Sequence, residues 1–331
     1  MKSIKRILFR TLKAIGVLIL IFAFIMALPR AHALFFPSKP PVGYKFEFTT
    51  FLAIGTGLER LIEREPPLPA NLIEIKDVEY KVADEKSLQI DFYKRNDLTE
   101  NPPLLVFIHG GGWRGGKRSD YRVYLYPFAE KGYVTATVSY RLVRDKTYPA
   151  CAEDISDAMR FFFENGETYG YDPDRIAVIG GSAGAHLAML AAYGWADTVY
   201  PSSKSEIYPD RKIKAVVNIY GPVDLTTPYA RNHSLVTNFI ARPFDEAAEM
   251  YAEASPITYL HPGIPPTLIF HGTADTLVPV TEADILEDKL KEMGVPVVYH
   301  RLPLWPHTMD LAVRVNRYFQ LRMTEFFDEY L

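Results

Sequence analysis

Cysteine is almost missing from this chain: Cys151 stands alone among 331 residues, so no intrachain disulfide can form and the fold must rest on packing. Metal-binding patterns are missing too. The eight histidines include no HExxH pairing, and no Cys/His cluster has zinc-ligand spacing, so neither a metal nor a cofactor is expected. Charge of one sign is equally scarce, since 37 Lys and Arg stand against 40 Asp and Glu for a net charge of −3. With no long Lys or Arg run beyond the first residues, the sequence lacks the electrostatic footprint of a nucleic-acid binder, and a small neutral molecule fits better as partner. No repeat or low-complexity tract is visible, and nothing in the pattern indicates an oligomeric state.

The chain opens with an asymmetry. Lys2, Lys5, Arg6, Arg10 and Lys13 precede a run from Ala14 to Leu28, fifteen residues without a charge. As a helix this run would reach about 22 Å at ~1.5 Å per residue, short of the roughly 30 Å hydrocarbon core. Ala31-His32-Ala33 supplies the small-x-small spacing of a signal-peptidase site. Residues 1–33 therefore read as an export segment, either cleaved after Ala33 or retained as a membrane anchor. Both readings hold the basic end in the cytoplasm and place the rest outside it, periplasmic, secreted or tethered. Residues 34–69, rich in proline, read as a covering arm with an amphipathic, helix-compatible stretch from Phe51 to Ile62.

From residue 70 to 331 the pattern becomes that of one domain. Ile73 to Val82 and Leu88 to Lys94 alternate apolar and polar residues, as in an antiparallel pair of half-buried strands. Short apolar runs follow at Leu104 to Ile108, Val134 to Val138, Ile176 to Ile179, Ala215 to Ile219 and Leu268 to Phe270, the signature of strands buried on both faces. Helical spacing lies between or after them, at Ala152 to Asn165, Ala183 to Tyr193, Thr281 to Met293 and Asp310 to Tyr330. The alternation predicts an α/β fold with a mostly parallel central sheet and helices on both faces. Residues 221–261 interrupt it and read as a lid insertion.

Three motifs carry chemistry. Gly180-Gly181-Ser182-Ala183-Gly184 lies between a strand and a helix, where a nucleophile elbow needs small neighbours around a strained serine; a plain glycine-rich turn is the alternative. His109-Gly110-Gly111-Gly112-Trp113 follows a buried strand, and the N–H groups of Gly111, Gly112 and Ala183 are candidate donors to an oxyanion. A phosphate-cradling loop is the competing reading, but neither GxxxxGK[ST] nor a GxGxxG opening a helix is present. A serine hydroxyl needs a base and an orienting carboxylate, in the order Ser, Asp, His. Asp275, just beyond the strand ending near Phe270, is the best carboxylate, with Asp284 and Glu287 read as solvated helix residues. His307, in the loop after Val297 to Leu302, is favoured as base over His300 inside that strand. His109 and His271 read as braces for their loops, and His186 as packing on the elbow helix. Trp113 reads as a pocket wall or as plain packing.

These motifs, with Ser139-Tyr140-Arg141-Leu142, Tyr148-Pro149-Ala150, Asp172-Pro173, His271-Gly272 and Val278-Pro279, resemble the α/β-hydrolase superfamily, in its esterase and lipase branch near hormone-sensitive lipase and the small carbohydrate and feruloyl esterases. The resemblance implies Ser182, Asp275 and His307 as a triad and Gly111, Gly112 and Ala183 as oxyanion donors. It implies a serine carboxylic-ester hydrolase acting on a small or medium ester. Gly181 departs from the acidic residue, and Ala185 from the second glycine, of the hormone-sensitive lipase pattern, which leaves the subfamily open. An extracytoplasmic acyltransferase or an arylformamidase-like amidohydrolase would use the same triad, and a binding protein on this fold would lack an intact one.

Overall fold

The computed structural model describes residues 2–36, 38–44, 46–63, 65–199 and 212–331. Eight strands form one sheet in the order β1-β2-β4-β3-β5-β6-β7-β8. β1 (Leu72–Ala83) and β2 (Lys86–Arg95) form a hairpin, and β2 runs antiparallel to β4 (Val134–Val138). The remaining pairings are parallel, joining β3 (Pro103–Ile108), β5 (Asp172–Gly181), β6 (Ala215–Ile219), β7 (Thr267–Gly272) and β8 (Val297–Leu302).

Period-two alternation divides the apolar strands between two cores. Leu104, Val106 and Ile108 of β3 join Val178, Val216 and Ile269 under α4 (Ala150–Glu164), α6 (Ala183–Tyr193) and α10 (Thr281–Glu292). Leu105 and Phe107 point the other way, with Ile179, Val217 and Phe270, against α3 (Arg122–Glu130) and α11 (Val313–Tyr330). Two short helices, α5 (Gly166–Tyr169) and α7 (Trp195–Val199), complete the first layer. The expected doubly wound α/β architecture is present, with helices on both faces.

Residues 221–261 form α8 (Ser234–Ile240), α9 (Phe244–Glu253) and a 3-10 turn at Pro256–Tyr259. Val236, Phe239, Ile240 and Tyr251 from this segment are buried in the main core. It is a packed roof whose inner face continues the domain.

The N-terminal helix differs from expectation in length. α1 spans Lys2–Phe35, 34 residues and so about 51 Å, continuing past Pro29, Arg30 and His32. Its stretch Phe9–Phe35 is 27 residues and, by length and composition, long and apolar enough to cross a membrane. Counting uncharged residues alone truncated it at Leu28, because docking of the last turns carries the helix on. Met26 is buried with Tyr44 and Ala53, Arg30 Nε donates to Leu58 O at 2.5 Å, and Arg314 Nη1 reaches Pro29 O at 3.4 Å. The arm contributes α2 (Glu47–Gly55), earlier in the chain than the stretch expected to be helical, and an isolated bridge from Leu61 to Ala312.

Candidate active site

The carboxyl ends of β3, β5, β6, β7 and β8 all open on one rim of the sheet, where open α/β sheets place their ligands. Ser182 occupies the step from β5 into α6 with φ 55° and ψ −124°. Such a conformation costs a non-glycine residue on the order of 1–3 kcal/mol and persists only where the surroundings impose it. Here Ser182 N–H donates to Ile219 O at 2.9 Å, tying the turn to β6. The flanking glycines are required by space: a Cβ on Gly184 would lie 2.0 Å from Ile108 O, and one on Gly180 2.3 Å from the Gly184 carbonyl.

Asp275 and His307 come from the loops after β7 and β8. His307 Nε2 lies 3.0 Å from Ser182 Oγ, and His307 Nδ1 lies 2.6 Å from Asp275 Oδ2. Burial pushes the Asp275 carboxyl up, but hydrogen bonds from His271 and His307 outweigh it and hold the group down at about 2. The ionised carboxylate can only accept, so His307 Nδ1 carries the proton and donates to it, leaving Nε2 of a neutral ring to accept from the Ser182 hydroxyl. The other carboxylate oxygen accepts from Leu277 N–H and Val278 N–H, both at 2.9 Å. His271 Nε2 donates to Val278 O at 2.8 Å and sits 3.4 Å from Asp275 Oδ2, bracing the loop as expected.

The glycine loop after β3 abuts the elbow, for a Cβ on Gly110 would lie 2.6 Å from Gly181 O. Gly111, Gly112 and Trp113 follow with φ of 108°, 59° and 57°. Neither Gly111 nor Gly112 gives its N–H to a backbone acceptor among the described residues. Trp113 borders the cavity beside Ser182, yet its indole is 3% exposed, stacks on Phe239 at 4.4 Å and donates from Nε1 to His186 Nδ1 at 3.3 Å. Its ring anchors the loop to the roof, with little surface left to offer a ligand. The cavity itself is small, ≈ 20 Å³, and is lined by Tyr229, His233 and Leu235 from the roof and by Leu277 and Val278 from the Asp275 loop.

The other candidates lie elsewhere. His300 stacks on Phe270 and meets the Tyr318 hydroxyl at 2.9 Å, and burial lowers its imidazole to about 4. Asp284 pairs with Arg301 and Glu287 with Lys291, as solvated helix residues do. His109 stacks on Tyr140, and His186 Nε2 donates to Ala254 O at 2.7 Å, giving the Trp113 contact a bare Nδ1 to meet.

Two residues at the site escaped the sequence reading. The Tyr220 ring packs against His307 at 4.5 Å between centroids, and its hydroxyl donates to Asp310, whose fully buried carboxyl is pushed up by burial. The available signal was positional: Tyr220 directly follows β6, on the same rim as Ser182, and Asp310 follows His307 by three residues.

Comparison with known proteins agrees with this architecture. The probable carboxylic ester hydrolase LipM of Mycobacterium tuberculosis is 34% identical over 231 residues, covering 67% of this chain and 53% of the relative. Esterase LipQ of the same organism is 31% identical over 257 residues, covering 73% and 59%. The chain thus matches between about half and three-fifths of the length of these curated relatives. Esterase 2 of Thermogutta terrifontis, solved with propionate bound, superposes with a TM-score of 0.67 at 24% identity, over 81% of this chain and 97% of that one, and shares the α/β-hydrolase fold. Residues 90–290, which carry the glycine loop, the elbow and the Asp275 turn, match one family over more than half of the chain, and the chain belongs to that family, BD-FAE.

Proposed function

We propose that this protein is a serine carboxylic-ester hydrolase that works through an acyl-enzyme on esters of short acyl chains. One observation carries the reading: the relay of 3.0 Å and 2.6 Å from Ser182 Oγ through the His307 ring to Asp275. Ser182 Oγ attacks the ester carbonyl while His307 Nε2 takes its proton, and Asp275 holds the tautomer and stabilises the imidazolium. The N–H groups of Gly111, Gly112 and Ala183 receive the oxyanion, and each such donor typically supplies about 3–4 kcal/mol. His307 then protonates the departing alcohol, and a water activated by the same base clears the acyl group.

The acyl group enters the cavity bordered by Gly112, Tyr229 and Leu235. At ≈ 20 Å³ it has room for about one or two water-sized groups, which favours acetyl and propionyl over long chains. The propionate held by the fold relative is in keeping with that size. We further propose that α1 is retained as an anchor, because its last turns are packed into the fold, and that the domain is extracytoplasmic, because the basic end of α1 stays inside.

A fluorophosphonate probe should label the purified protein at Ser182 and leave Ser182→Ala unlabelled. A rate series over p-nitrophenyl esters should peak at acetyl or propionyl and fall steeply by octanoyl. Equal labelling of the Ala variant would end the esterase reading, and a rate maximum at palmitoyl would end the short-chain one.

A further inference from the structure

A second, much larger cavity lies away from the serine, where the last turns of α1, the arm and α11 meet. Its volume is ≈ 630 Å³, inside the ~300–1,000 Å³ range of small-ligand sites. Five cations line it, Arg30, Lys39, Arg60, Arg314 and Arg317, against one carboxylate, Glu59. Glu59 is already bound to Arg314 Nε at 2.7 Å, and among the described residues the other four cations form no ion pair. In a chain whose net charge is −3 this concentration is local. It also runs against the bias that keeps Lys and Arg on the cytoplasmic side of a membrane helix, because these residues adjoin the opposite end of α1 from Lys2, Lys5 and Arg6.

Arg314 is preset for an anion. Its guanidinium is held 4.7 Å from the Trp305 ring and 5.9 Å from the Tyr44 ring, and its Nη2 is buried without a hydrogen-bond partner. Phosphate and carboxylate oxygens are the acceptors that a planar guanidinium fork suits. The rest of the neighbourhood is greasy: Leu34, Phe35 and Phe36 are 80%, 78% and 53% exposed. On α2 and its cap, Phe46, Phe48 and Phe51 also face outward. Exposed Phe and Leu side chains beside the end of an apolar helix suit the boundary between lipid headgroups and acyl chains.

We propose that this cavity binds the phosphate headgroup of an anionic phospholipid from the membrane that α1 spans. The guanidinium groups of Arg314, Arg60 and Arg317 take the phosphate oxygens, Arg30 and Lys39 add charge, and the acyl chains run along Leu34 and Phe36. The proposal rests on the reading of α1 as a retained anchor, and its test is kept separate from that reading by using full-length protein whose mass shows that α1 is present.

The full chain in dodecyl maltoside micelles is titrated with dioleoylphosphatidylglycerol, with dioleoylphosphatidylcholine, and with inorganic phosphate, following the apparent unfolding temperature. At about a hundredfold excess over Kd the anionic lipid should raise it by ~5 °C, and the other two should leave it unmoved. Arg30→Gln/Arg60→Gln/Arg317→Gln should weaken the lipid response about tenfold or more. Arg317→Glu, at an exposed position, should weaken it too if the triple variant folds poorly; hydrolysis of p-nitrophenyl acetate reports on folding. An equal response to phosphatidylcholine, a full response in both variants, or a response reproduced by inorganic phosphate would each overturn the proposal. So would no lipid response at all, as expected if the patch docks an acidic protein. Loss of the anchor reading is detected separately, by sequencing the N-terminus of the total protein expressed in cells.

Discussion

Burial and hydrogen bonding pull the Asp275 carboxyl in opposite directions, and the outcome sets how the site responds to acid. Its side chain has no exposed surface, yet the two imidazoles beside it lower it to about 2. The unfolded carboxyl titrates near ~3.9, so the folded state keeps the anion while the unfolded state takes up a proton. The resulting stabilisation, about 2–3 kcal/mol, is fully present above about pH 5 and is lost as pH falls through about 2. Asp275→Asn should therefore lower the denaturation midpoint at pH 7, with a gap to wild type that narrows by pH 3; a gap of constant size would contradict the assigned ionisation. The same variant should lose about 10⁴-fold in kcat, since an amide in place of the carboxylate favours the wrong histidine tautomer. Gly181, the departure from the hormone-sensitive lipase pattern, has a spatial cause: a Cβ there would lie 2.3 Å from the Tyr121 hydroxyl and 3.3 Å from that of Tyr220. Gly181→Ala should cost ~1–3 kcal/mol by urea denaturation, because the Tyr121 hydroxyl must move aside, and should slow hydrolysis, because it also crowds Tyr220, the ring against which His307 packs.

At the scale of elements, the strands were legible because burial on both faces writes itself as short apolar runs, and the elbow because Gly180 and Gly184 have no room for a side chain. α3 was not legible. Pro127 inside it breaks the local signal, and what holds the helix is the burial of Tyr124, Leu125 and Phe128 against the sheet. The polar start of β5, Asp172 to Arg175, likewise hides a strand that extends four residues before its apolar run. Tyr220 and Asp310 could not be joined on paper because 90 residues separate them. The roof was visible only as an interruption, and its consequence is structural: α8 carries Leu235 to within about van der Waals reach of Gly112, where a Cβ would meet the leucine at 3.1 Å. Leu235 thus walls the cavity beside Ser182 from an element outside the sheet. Leu235→Ala should raise kcat/KM for p-nitrophenyl hexanoate relative to acetate by ~10-fold or more, on the scale of one or two methylenes accommodated. An unchanged ratio would place the acyl chain elsewhere.

At the scale of the whole molecule, the question is whether α1 is a disposable leader or part of the folded unit. A leader removed after Ala33 would be expected to make few contacts with the mature domain. Here Met26 is 4% exposed, Pro29 O accepts from Arg314, and Arg30 donates to Leu58 O. Arg314 in turn holds Glu59, itself 2% exposed, and the Trp305 indole donates to Pro41 O at 2.9 Å. The arm is therefore clamped from both sides, by α1 and by α11. A chain beginning at Leu34 keeps the Glu59–Arg314 pair and the Trp305 contact but loses the α1 side, including about 1–2 kcal/mol from burying Met26. Its arm should open locally, and because Gly43 N–H donates to Pro303 O and Ile62 N–H to Leu311 O, on either side of His307, the loop that carries the histidine should loosen with it. The expected result is that trypsin cuts the truncated chain within residues 39–60 several-fold faster than the full chain, with a lower kcat on p-nitrophenyl acetate. In cells, the full chain should resist carbonate extraction and the truncated one should not. Equal proteolysis of the two would mean that the helix end contributes nothing to the arm, and the case for α1 as a permanent part of this protein would fall with it.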